Sequence, residues 1–234
     1  MAVARDGGPV REPRELARFV DHTLLASGVQ PAGVERLCAE AREHGFAAVC
    51  VRREWAPLAR SLLAGTGVRL AVVVDFHEGA STTAARIEEA TAALRDGAEE
   101  LDLVAPLPDL RAGRLARVFE DLRAVIAAAS PAPVKVILET SLLTRDQKVA
   151  GAAVALAAGA AFLKTSTGFG GGGATVEDVA LLLVVAGDRA RVKASGGVRT
   201  TADALAMLRA GADRIGTSHG VAIVTGAMPE GGAY

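Results

Sequence analysis

The chain has 234 residues, of which 50% are hydrophobic and only 3% aromatic, and its formal net charge is −1. This length fits one large domain or two small ones, and a core built from Ala, Val and Leu is typical of tightly packed α/β proteins rather than of an all-β sandwich. Because positive and negative residues are interspersed, we expect no nucleic acid among the partners.

The sequence also argues against a membrane partner or secretion. The chain contains no apolar run of about 18 residues, and its N-terminus lacks the charged-then-apolar pattern of a secretory signal. We therefore expect a cytoplasmic location. In that setting the two cysteines, Cys38 and Cys50, are predicted to be buried free thiols rather than a disulfide.

The chain divides into an irregular start and a regular remainder. Residues 1–13 mix Gly, Pro and charge without periodicity, which predicts a flexible N-terminal arm before a single domain at residues 14–234. Eight short apolar runs then predict strands, at residues 17–23, 47–51, 69–74, 100–104, 134–138, 161–165, 191–194 and 214–218. Five segments with a one-sided apolar stripe predict helices, at residues 31–45, 81–97, 113–130, 144–159 and 200–211.

This alternation predicts the fold class. Strands that are apolar on both faces and alternate with helices are typical of parallel sheets. Eight such units favour an α/β protein with a TIM (β/α)8 barrel, and an open doubly wound sheet is the competing arrangement. Four glycines come shortly after helical segments and suit the left-handed conformation that ends a helix; they are Gly45, Gly97, Gly159 and Gly211.

Three ionisable residues of the predicted strands are candidates for the chemistry. Asp102 is inside the fourth, Lys164 is near the end of the sixth, and Lys193 is near the end of the seventh. In a barrel the carboxyl ends of the strands carry the chemistry, so these side chains can converge there. An amine attacks a carbonyl only when unprotonated, and burial or a second cation favours that form. The pattern predicts a Schiff-base lysine with Asp102 as proton carrier.

Other residues complete or frame this predicted site. Lys135, near the start of the fifth strand, is interpreted as a structural charge on the opposite face. Glycine-rich loops follow the sixth, seventh and eighth strands, at residues 167–175, 195–200 and 216–220. Their backbone N–H groups can cradle an anion at helix N-termini, and the phosphate site of α/β barrels commonly lies at the last strands.

Five motifs in this chain resemble those of the deoxyribose-phosphate aldolases, class I aldolases of TIM-barrel fold. They are "DHTLL" (21–25), "VKVILET" (134–140), "FLKTSTGF" (162–169), "VKASGGVRT" (192–200) and "RIGTSHGVAIV" (214–224). The resemblance implies reversible cleavage of 2-deoxy-D-ribose 5-phosphate to D-glyceraldehyde 3-phosphate and acetaldehyde. It implies Lys164 as the Schiff-base nucleophile, Lys193 as the lysine that perturbs it, and Asp102 as the proton-relay acid.

The resemblance extends to binding and assembly. It implies that the substrate phosphate rests on the loops after the last three strands, at Gly168, Gly196, Gly197, Gly216 and Ser218. It implies no metal and no organic cofactor, with a sugar phosphate and an aldehyde as the small-molecule partners. It also implies a homodimer or homotetramer.

The chain departs from the family pattern near the expected substrate entrance. Residues 75–79 read "DFHEG" where the family has a sequence like "GFPLG", so Asp75, His77 and Glu78 replace apolar or small residues. Ser141 stands where the family often has Cys, and His219 stands where a small residue is common. These changes spare the lysines, so an aldolase with altered acceptor aldehyde specificity is an alternative.

Two further functional classes remain open from the sequence. His22, His77 and His219 follow the first, third and eighth strands and could together hold Zn²⁺ in a metal-dependent lyase or hydrolase. A non-catalytic barrel that binds sugar phosphates would keep the glycine loops. Such a sensor would have no reason to keep two lysines at adjacent strand ends.

Overall fold

The computed structural model describes residues 3–4, 7–10 and 12–228. Its centre is a closed barrel of parallel strands in chain order, with the last strand hydrogen-bonded to the first. The barrel strands, numbered β1 to β8, are Val20–Leu24, Ala48–Val51, Arg69–Val74, Glu100–Val104, Val134–Ile137, Phe162–Lys164, Arg191–Ser195 and Arg214–Thr217. The predicted TIM barrel is confirmed, and the open doubly wound sheet is wrong.

Helices surround the barrel and connect its strands. In chain order, α1 to α9 are Pro31–His44, Ala56–Leu63, Thr83–Arg95, Leu107–Arg111, Leu115–Ala129, Arg145–Ala157, Val176–Ala186, Thr201–Arg209 and Gly220–Thr225. The five helices predicted from their apolar stripes are confirmed. Threonine side chains begin several of them: Thr82, Thr144, Thr175 and Thr200 each accept a hydrogen bond from a backbone N–H in the first turn.

The chain enters the barrel differently from the prediction. Pro13–Phe19 forms a 3-10 helix, so β1 begins at Val20 rather than at residue 17. Pro13 suits the first helical position because its ring fixes φ and it has no N–H to satisfy. Leu16 and Phe19, three residues apart, lie on the same side of such a helix and are buried. The apolar residues before β1 therefore belong to a helical pattern.

The four glycines after helical segments have the predicted left-handed backbone. Their φ angles are 69° at Gly45, 106° at Gly97, 98° at Gly159 and 105° at Gly211. Close packing adds a second requirement at Gly211, where a Cβ atom would lie 2.3 Å from the side chain of Leu183. Glycine is thus needed where each helix turns back into the next strand.

The N-terminal residues are described only in part. Val3–Ala4 pairs antiparallel with Gly7–Pro9, and Val10 packs against the main core. Residues 1, 2, 5, 6, 11 and 229–234 lie outside the described part of the chain, so the flexible arm and the bounds of the single domain stay predictions. Within the described residues, no helix is both long and apolar enough to cross a bilayer.

Alternation along the strands separates two environments. In β3, Leu70, Val72 and Val74 belong to the large core cluster that includes residues of the surrounding helices. The intervening Ala71 and Val73 belong to a second, small cluster with Leu25 and Cys50. Successive strand residues point to opposite faces of the sheet, so this second cluster marks the inside of the barrel.

Candidate active site

The inside of the barrel holds a buried cluster of charged side chains. Seven residues contribute to it: Asp21, Glu100, Asp102, Lys135, Lys164, Lys193 and Arg214. They come from six of the eight strands, and each is buried. Glu100 and Asp102 alternate along β4 with Leu101 and Leu103 of the large core, so period-two alternation turns both acids inward.

Asp102 is the centre of this cluster. Its Oδ2 accepts hydrogen bonds from Lys164 Nζ at 2.6 Å and from Lys193 Nζ at 2.8 Å. Its Oδ1 accepts one from Lys135 Nζ at 2.8 Å. The structure therefore brings Lys164, Lys193 and Asp102 together, as the sequence predicts.

A further group of charges lies on the other side of Lys135 and Lys193. Lys193 Nζ is 2.5 Å from Asp21 Oδ2, and Arg214 Nε donates to Asp21 Oδ1 at 2.7 Å. Lys135 Nζ is 2.6 Å from Glu100 Oε2. Each of these charges has a partner of opposite sign, as burial away from solvent requires.

The pKa values of the two lysines near Asp102 shift in opposite directions. Burial lowers the pKa of Lys164; Asp102 opposes that effect, the charge of Lys193 adds to it, and the net shift is downward. Burial also opposes the charge of Lys193, but the attraction of Asp102 and Asp21 is stronger than the effect of burial. The pKa of Lys193 is therefore raised. Lys164 is therefore the better nucleophile, and Lys193 remains a cation beside it.

Asp102 remains ionised in these surroundings. Burial opposes its charge, but Lys135, Lys164 and Lys193 together outweigh burial and hold its pKa well below the ordinary value. A carboxylate of this kind can accept a proton only transiently. It suits a relay that passes a proton between Lys164, Lys193 and a substrate atom.

The interpretation of Lys135 as a charge on the opposite face is wrong. The residue is near the start of β5, as its position indicates, but its ammonium is completely buried and touches Asp102. In register, Lys135 pairs with Asp102 of the neighbouring strand, so the two side chains leave the sheet at the same level. A long side chain inside a narrow barrel then reaches the central acid.

A cluster of aromatic side chains lies at the unusual 75–79 loop, next to the inside of the barrel. The ring of Phe169 meets Phe76 edge to face at 5.1 Å and stacks on His77 at 5.5 Å. Phe76 and Phe169 both pack on the small inner cluster that contains Cys50. The Cys50 thiol lies 3.9 Å from Asp102, so this aromatic group is close to the charged centre.

Asp75 anchors the loop that carries His77. Its φ of 52° lies in the left-handed region, where a glycine would be unstrained. The Asp75 carboxylate accepts from Ser81 Oγ at 2.7 Å, and its backbone N–H donates to Glu89 at 2.8 Å. The buried Arg86 guanidinium is 3.6 Å from the same carboxylate. Polar contacts of the side chain thus offset the backbone strain.

Four of the five predicted phosphate residues lie in the loops after the last three strands. Gly168, Gly196 and Gly197 have φ angles of 90°, 85° and 77°, which turn the backbone sharply after β6 and β7. Gly216 is inside β8, where a Cβ atom would lie 2.9 Å from Lys193 Cε, so this glycine makes room for the lysine stem. Ser218 follows β8 and lies beside His219. Phosphate contact by these residues stays a prediction.

The three histidines do not form a metal site. His22 Nε2 is 2.7 Å from Glu40, and His219 Nδ1 is 3.1 Å from Ser218 Oγ. These two line a cavity of about 510 Å³, whereas His77 lines a separate cavity of about 950 Å³. In the part of the chain that the structure describes, no three metal-ligating residues come together. The alternative of a three-histidine zinc site, which the sequence left open, is therefore wrong.

Sequence reasoning missed Asp21, Glu100, Arg214 and Glu139. Glu100 is two residues before Asp102 in β4 and therefore points to the same face of the sheet, which was an available signal. Glu139 follows β5 with a φ of 51° and accepts from the backbone N–H of Thr167 at 3.0 Å and from its hydroxyl. A Cβ atom on Gly170 would lie 2.7 Å from the Glu139 carboxyl carbon. Glu139 thus holds the loop after Lys164, a long-range role without a local sequence signal.

Comparisons with known proteins agree on one group of relatives. The chain matches the DeoC/LacD family aldolases over residues 16–226. The deoxyribose-phosphate aldolase of Bdellovibrio bacteriovorus is 46% identical over 93% of this chain and 99% of its own, and that of Brevibacillus brevis is 47% identical over 93% and 98%. The solved structure of a tetrameric deoxyribose phosphate aldolase from Aeropyrum pernix has a TM-score of 0.85 and 32% identity, covering 92% of this chain and 91% of that one.

Proposed function

Because this chain belongs to the DeoC/LacD family of aldolases, we propose that it is a class I aldolase that reversibly cleaves 2-deoxy-D-ribose 5-phosphate to D-glyceraldehyde 3-phosphate and acetaldehyde. One observation carries the proposal. The buried Lys164 amine shares a single oxygen of Asp102 with the cationic Lys193, at 2.6 and 2.8 Å. This arrangement provides an amine whose pKa is lowered, a neighbouring cation and a proton carrier together.

Lys164 is the proposed nucleophile. Its unprotonated Nζ attacks the aldehyde carbon C1 of the open-chain sugar, and loss of water from the adduct gives an iminium ion. The C3 hydroxyl then loses its proton, the C2–C3 bond breaks, and the iminium takes up the electron pair as an enamine. D-glyceraldehyde 3-phosphate leaves at this point.

Asp102 and Lys193 are the proposed proton carriers. Asp102, directly or through a water molecule, takes the proton from the C3 hydroxyl and returns one to C2 of the enamine. Lys193 remains protonated beside it and disfavours a charge on the free Lys164 amine. Hydrolysis of the resulting iminium releases acetaldehyde and restores the amine. No metal or organic cofactor takes part in this scheme.

The substrate phosphate is proposed to bind at the loops after the last three strands. Gly168, Gly196, Gly197, Gly216 and Ser218 are the proposed contacts. Gly196 and Gly197 lie in the loop between β7 and α8, and a helix N-terminus carries a partial positive charge. Phosphate there would extend the sugar away from Lys164 along the barrel mouth.

A related aldolase with altered acceptor aldehyde specificity is a second candidate. The observation that favours it is the stack of His77 on Phe169, because Phe169 directly follows the proposed phosphate residue Gly168. His77 of the 75–79 loop therefore contacts the segment that would hold the acceptor. This candidate keeps Lys164 as nucleophile and differs only in the aldehyde that is accepted.

Assembly and location are also proposals. We infer a homodimer or homotetramer, since the related enzyme from Aeropyrum pernix is described as tetrameric. We infer a cytoplasmic location, which the two buried free thiols Cys38 and Cys50 support. The partners are then a sugar phosphate and an aldehyde.

Turnover of 2-deoxy-D-ribose 5-phosphate tests the proposed function. The purified protein should release acetaldehyde and D-glyceraldehyde 3-phosphate, and Lys164→Met should lose at least about a thousand-fold in kcat because it removes the nucleophile. Lys148→Met is the control, since Lys148 pairs with Asp178 on the outer helices at 2.6 Å. Substrate binding without turnover by the unaltered protein would instead indicate a sugar-phosphate sensor.

A further inference from the structure

Lys135 touches the central acid of the site, yet the proposed chemistry assigns it no function. Its Nζ donates to Asp102 Oδ1 at 2.8 Å, is 2.6 Å from Glu100 Oε2, and is 3.7 Å from Asp21 Oδ2. Because Lys135 holds Oδ1, the other oxygen of Asp102 is left for Lys164 and Lys193. Lys135 therefore fixes the orientation in which Asp102 meets the nucleophile.

The charges of the cluster balance in only one protonation state of Lys164. Three carboxylates face three obligatory cations, namely Asp21, Glu100 and Asp102 against Lys135, Lys193 and Arg214. With an uncharged Lys164 amine the buried cluster is neutral. A proton on Lys164 adds one positive charge in excess, and an unbalanced buried charge is strongly destabilising.

The remaining groups around Lys164 leave this balance unchanged. Burial raises the pKa of the Cys50 thiol in β2 to about 11, so it stays uncharged. Strand β3 contributes the apolar Ala71 and Val73. Arg69 contacts Glu100 at 2.9 Å from outside, but its side chain is 57% exposed and solvent screens its charge. The charge that surrounds Lys164 is thus determined by residues of β1, β4, β5, β7 and β8.

We propose that Lys135 is a positioning residue of the aldolase site: it holds Asp102 by Oδ1 and supplies the third positive charge that keeps Lys164 an uncharged amine. The proposal rests on the proposed function, because it concerns the availability of the Lys164 nucleophile. Without Lys135 the carboxylates are in excess, and a proton on Lys164 restores neutrality. The iminium carries the same positive charge as a protonated Lys164. Removal of Lys135 therefore reduces the fraction of free enzyme that has an uncharged amine, and it does not destabilise the iminium.

The pH profile of kcat/KM for 2-deoxy-D-ribose 5-phosphate cleavage tests this role. In Lys135→Met the acid limb should move to higher pH by about one unit or more, which is a roughly ten-fold loss of kcat/KM on the acid side and recovery at high pH. A merely structural role would lower kcat/KM equally at every pH. Lys148→Met, which removes a lysine paired with Asp178 outside the site, should keep the unaltered profile.

Glu100 provides the opposite change in charge. Glu100→Gln removes one carboxylate, so its acid limb should move to lower pH, and the double variant with Lys135→Met should return the limb toward its original position. If Lys135→Met does not fold, as judged by circular dichroism, the Glu100→Gln profile decides alone. Unshifted limbs in the folded variants overturn the role of Lys135, whereas absence of cleavage by the unaltered protein overturns the proposed function itself.

Discussion

Lys164 and Lys193 carry the same functional group on adjacent strands, and their surroundings make them chemically different. Lys164 meets one carboxylate, that of Asp102, and its burial prevails over that attraction to lower its pKa. Lys193 meets two carboxylates, Asp102 and Asp21, and they prevail over its burial. One additional acid therefore decides which lysine stays charged.

Replacement of Lys193 should change the pH dependence of the reaction. Lys193→Leu removes the cation that opposes protonation of Lys164, so the pKa of Lys164 should rise and the acid limb of the rate profile should move to higher pH. Initial rates of cleavage measured across pH check this, with Lys148→Met as the lysine control. An unshifted limb in a folded Lys193→Leu variant would remove Lys193 from its proposed role.

The residues of the site were predictable from sequence to different extents. Asp102, Lys164 and Lys193 follow from strand position, because charged residues at the carboxyl ends of barrel strands are functional candidates. Lys135 was misplaced because its position marks where the backbone is and not how far four methylene groups carry the ammonium. Which end of a strand a long side chain reaches depends on register and tilt, which spacing does not reveal.

The 75–79 loop is the element that distinguishes this chain from the family pattern. Asp75 fixes the loop through Ser81 and the buried Arg86, and the loop places His77 on the ring of Phe169. Glu139 contacts the loop that contains Phe169 by accepting a hydrogen bond from the backbone N–H of Thr167. Two loops and one buried carboxylate thus position the backbone that follows Lys164.

Removal of the His77 ring should reduce the preference for a phosphorylated acceptor. The stack on Phe169 steadies the residue after Gly168, and an aromatic pair contributes about 0.5–1.5 kcal/mol, or roughly two- to ten-fold. In His77→Ala, the ratio of kcat/KM for D-glyceraldehyde 3-phosphate to that for D-glyceraldehyde should fall by about this factor. His44→Ala, which removes a similar stack on Phe46 at the end of α1, is the matched control. Equal ratios in both variants would contradict the specificity role.

The elements themselves were predictable where the pattern was long or repeated. The helices at Pro31–His44 and Leu115–Ala129 show a clear apolar stripe, and the structure confirms them. The short helix Ala56–Leu63 was missed because eight residues contain too few turns for a stripe to stand out. Residues 17–19, the end of the 3-10 helix at Pro13–Phe19, were predicted as the start of a strand because short apolar runs fit both periods.

At the scale of the molecule, the barrel buries its ionic cluster, and the stability of the fold depends on that cluster. Asp21, Glu100 and Asp102 all have pKa values below their ordinary range, since the buried cations around them outweigh burial. The unfolded chain therefore binds more protons than the folded one as pH falls, so acid lowers the free energy of unfolding. The contribution of these carboxylates is fully present above about pH 5 and is lost below it.

Chemical unfolding at several pH values checks this dependence. The free energy of unfolding should fall between about pH 5 and pH 3, and it should fall less steeply in Glu100→Gln, which lacks one of the three carboxylates. Because that variant retains Asp21 and Asp102, some acid dependence should remain. A stability that is constant over this range would show that the cluster does not contribute in the manner described.

Reductive trapping shows directly whether Lys164 is the nucleophile that forms the Schiff base. The protein is treated with acetaldehyde and borohydride, digested, and mapped by mass spectrometry, with Lys164→Met and Lys148→Met treated in parallel. We expect an irreversible two-carbon adduct on Lys164 in the unaltered protein and in Lys148→Met, and no adduct at this position in Lys164→Met. An unmodified Lys164 in a protein that nevertheless cleaves 2-deoxy-D-ribose 5-phosphate would contradict it.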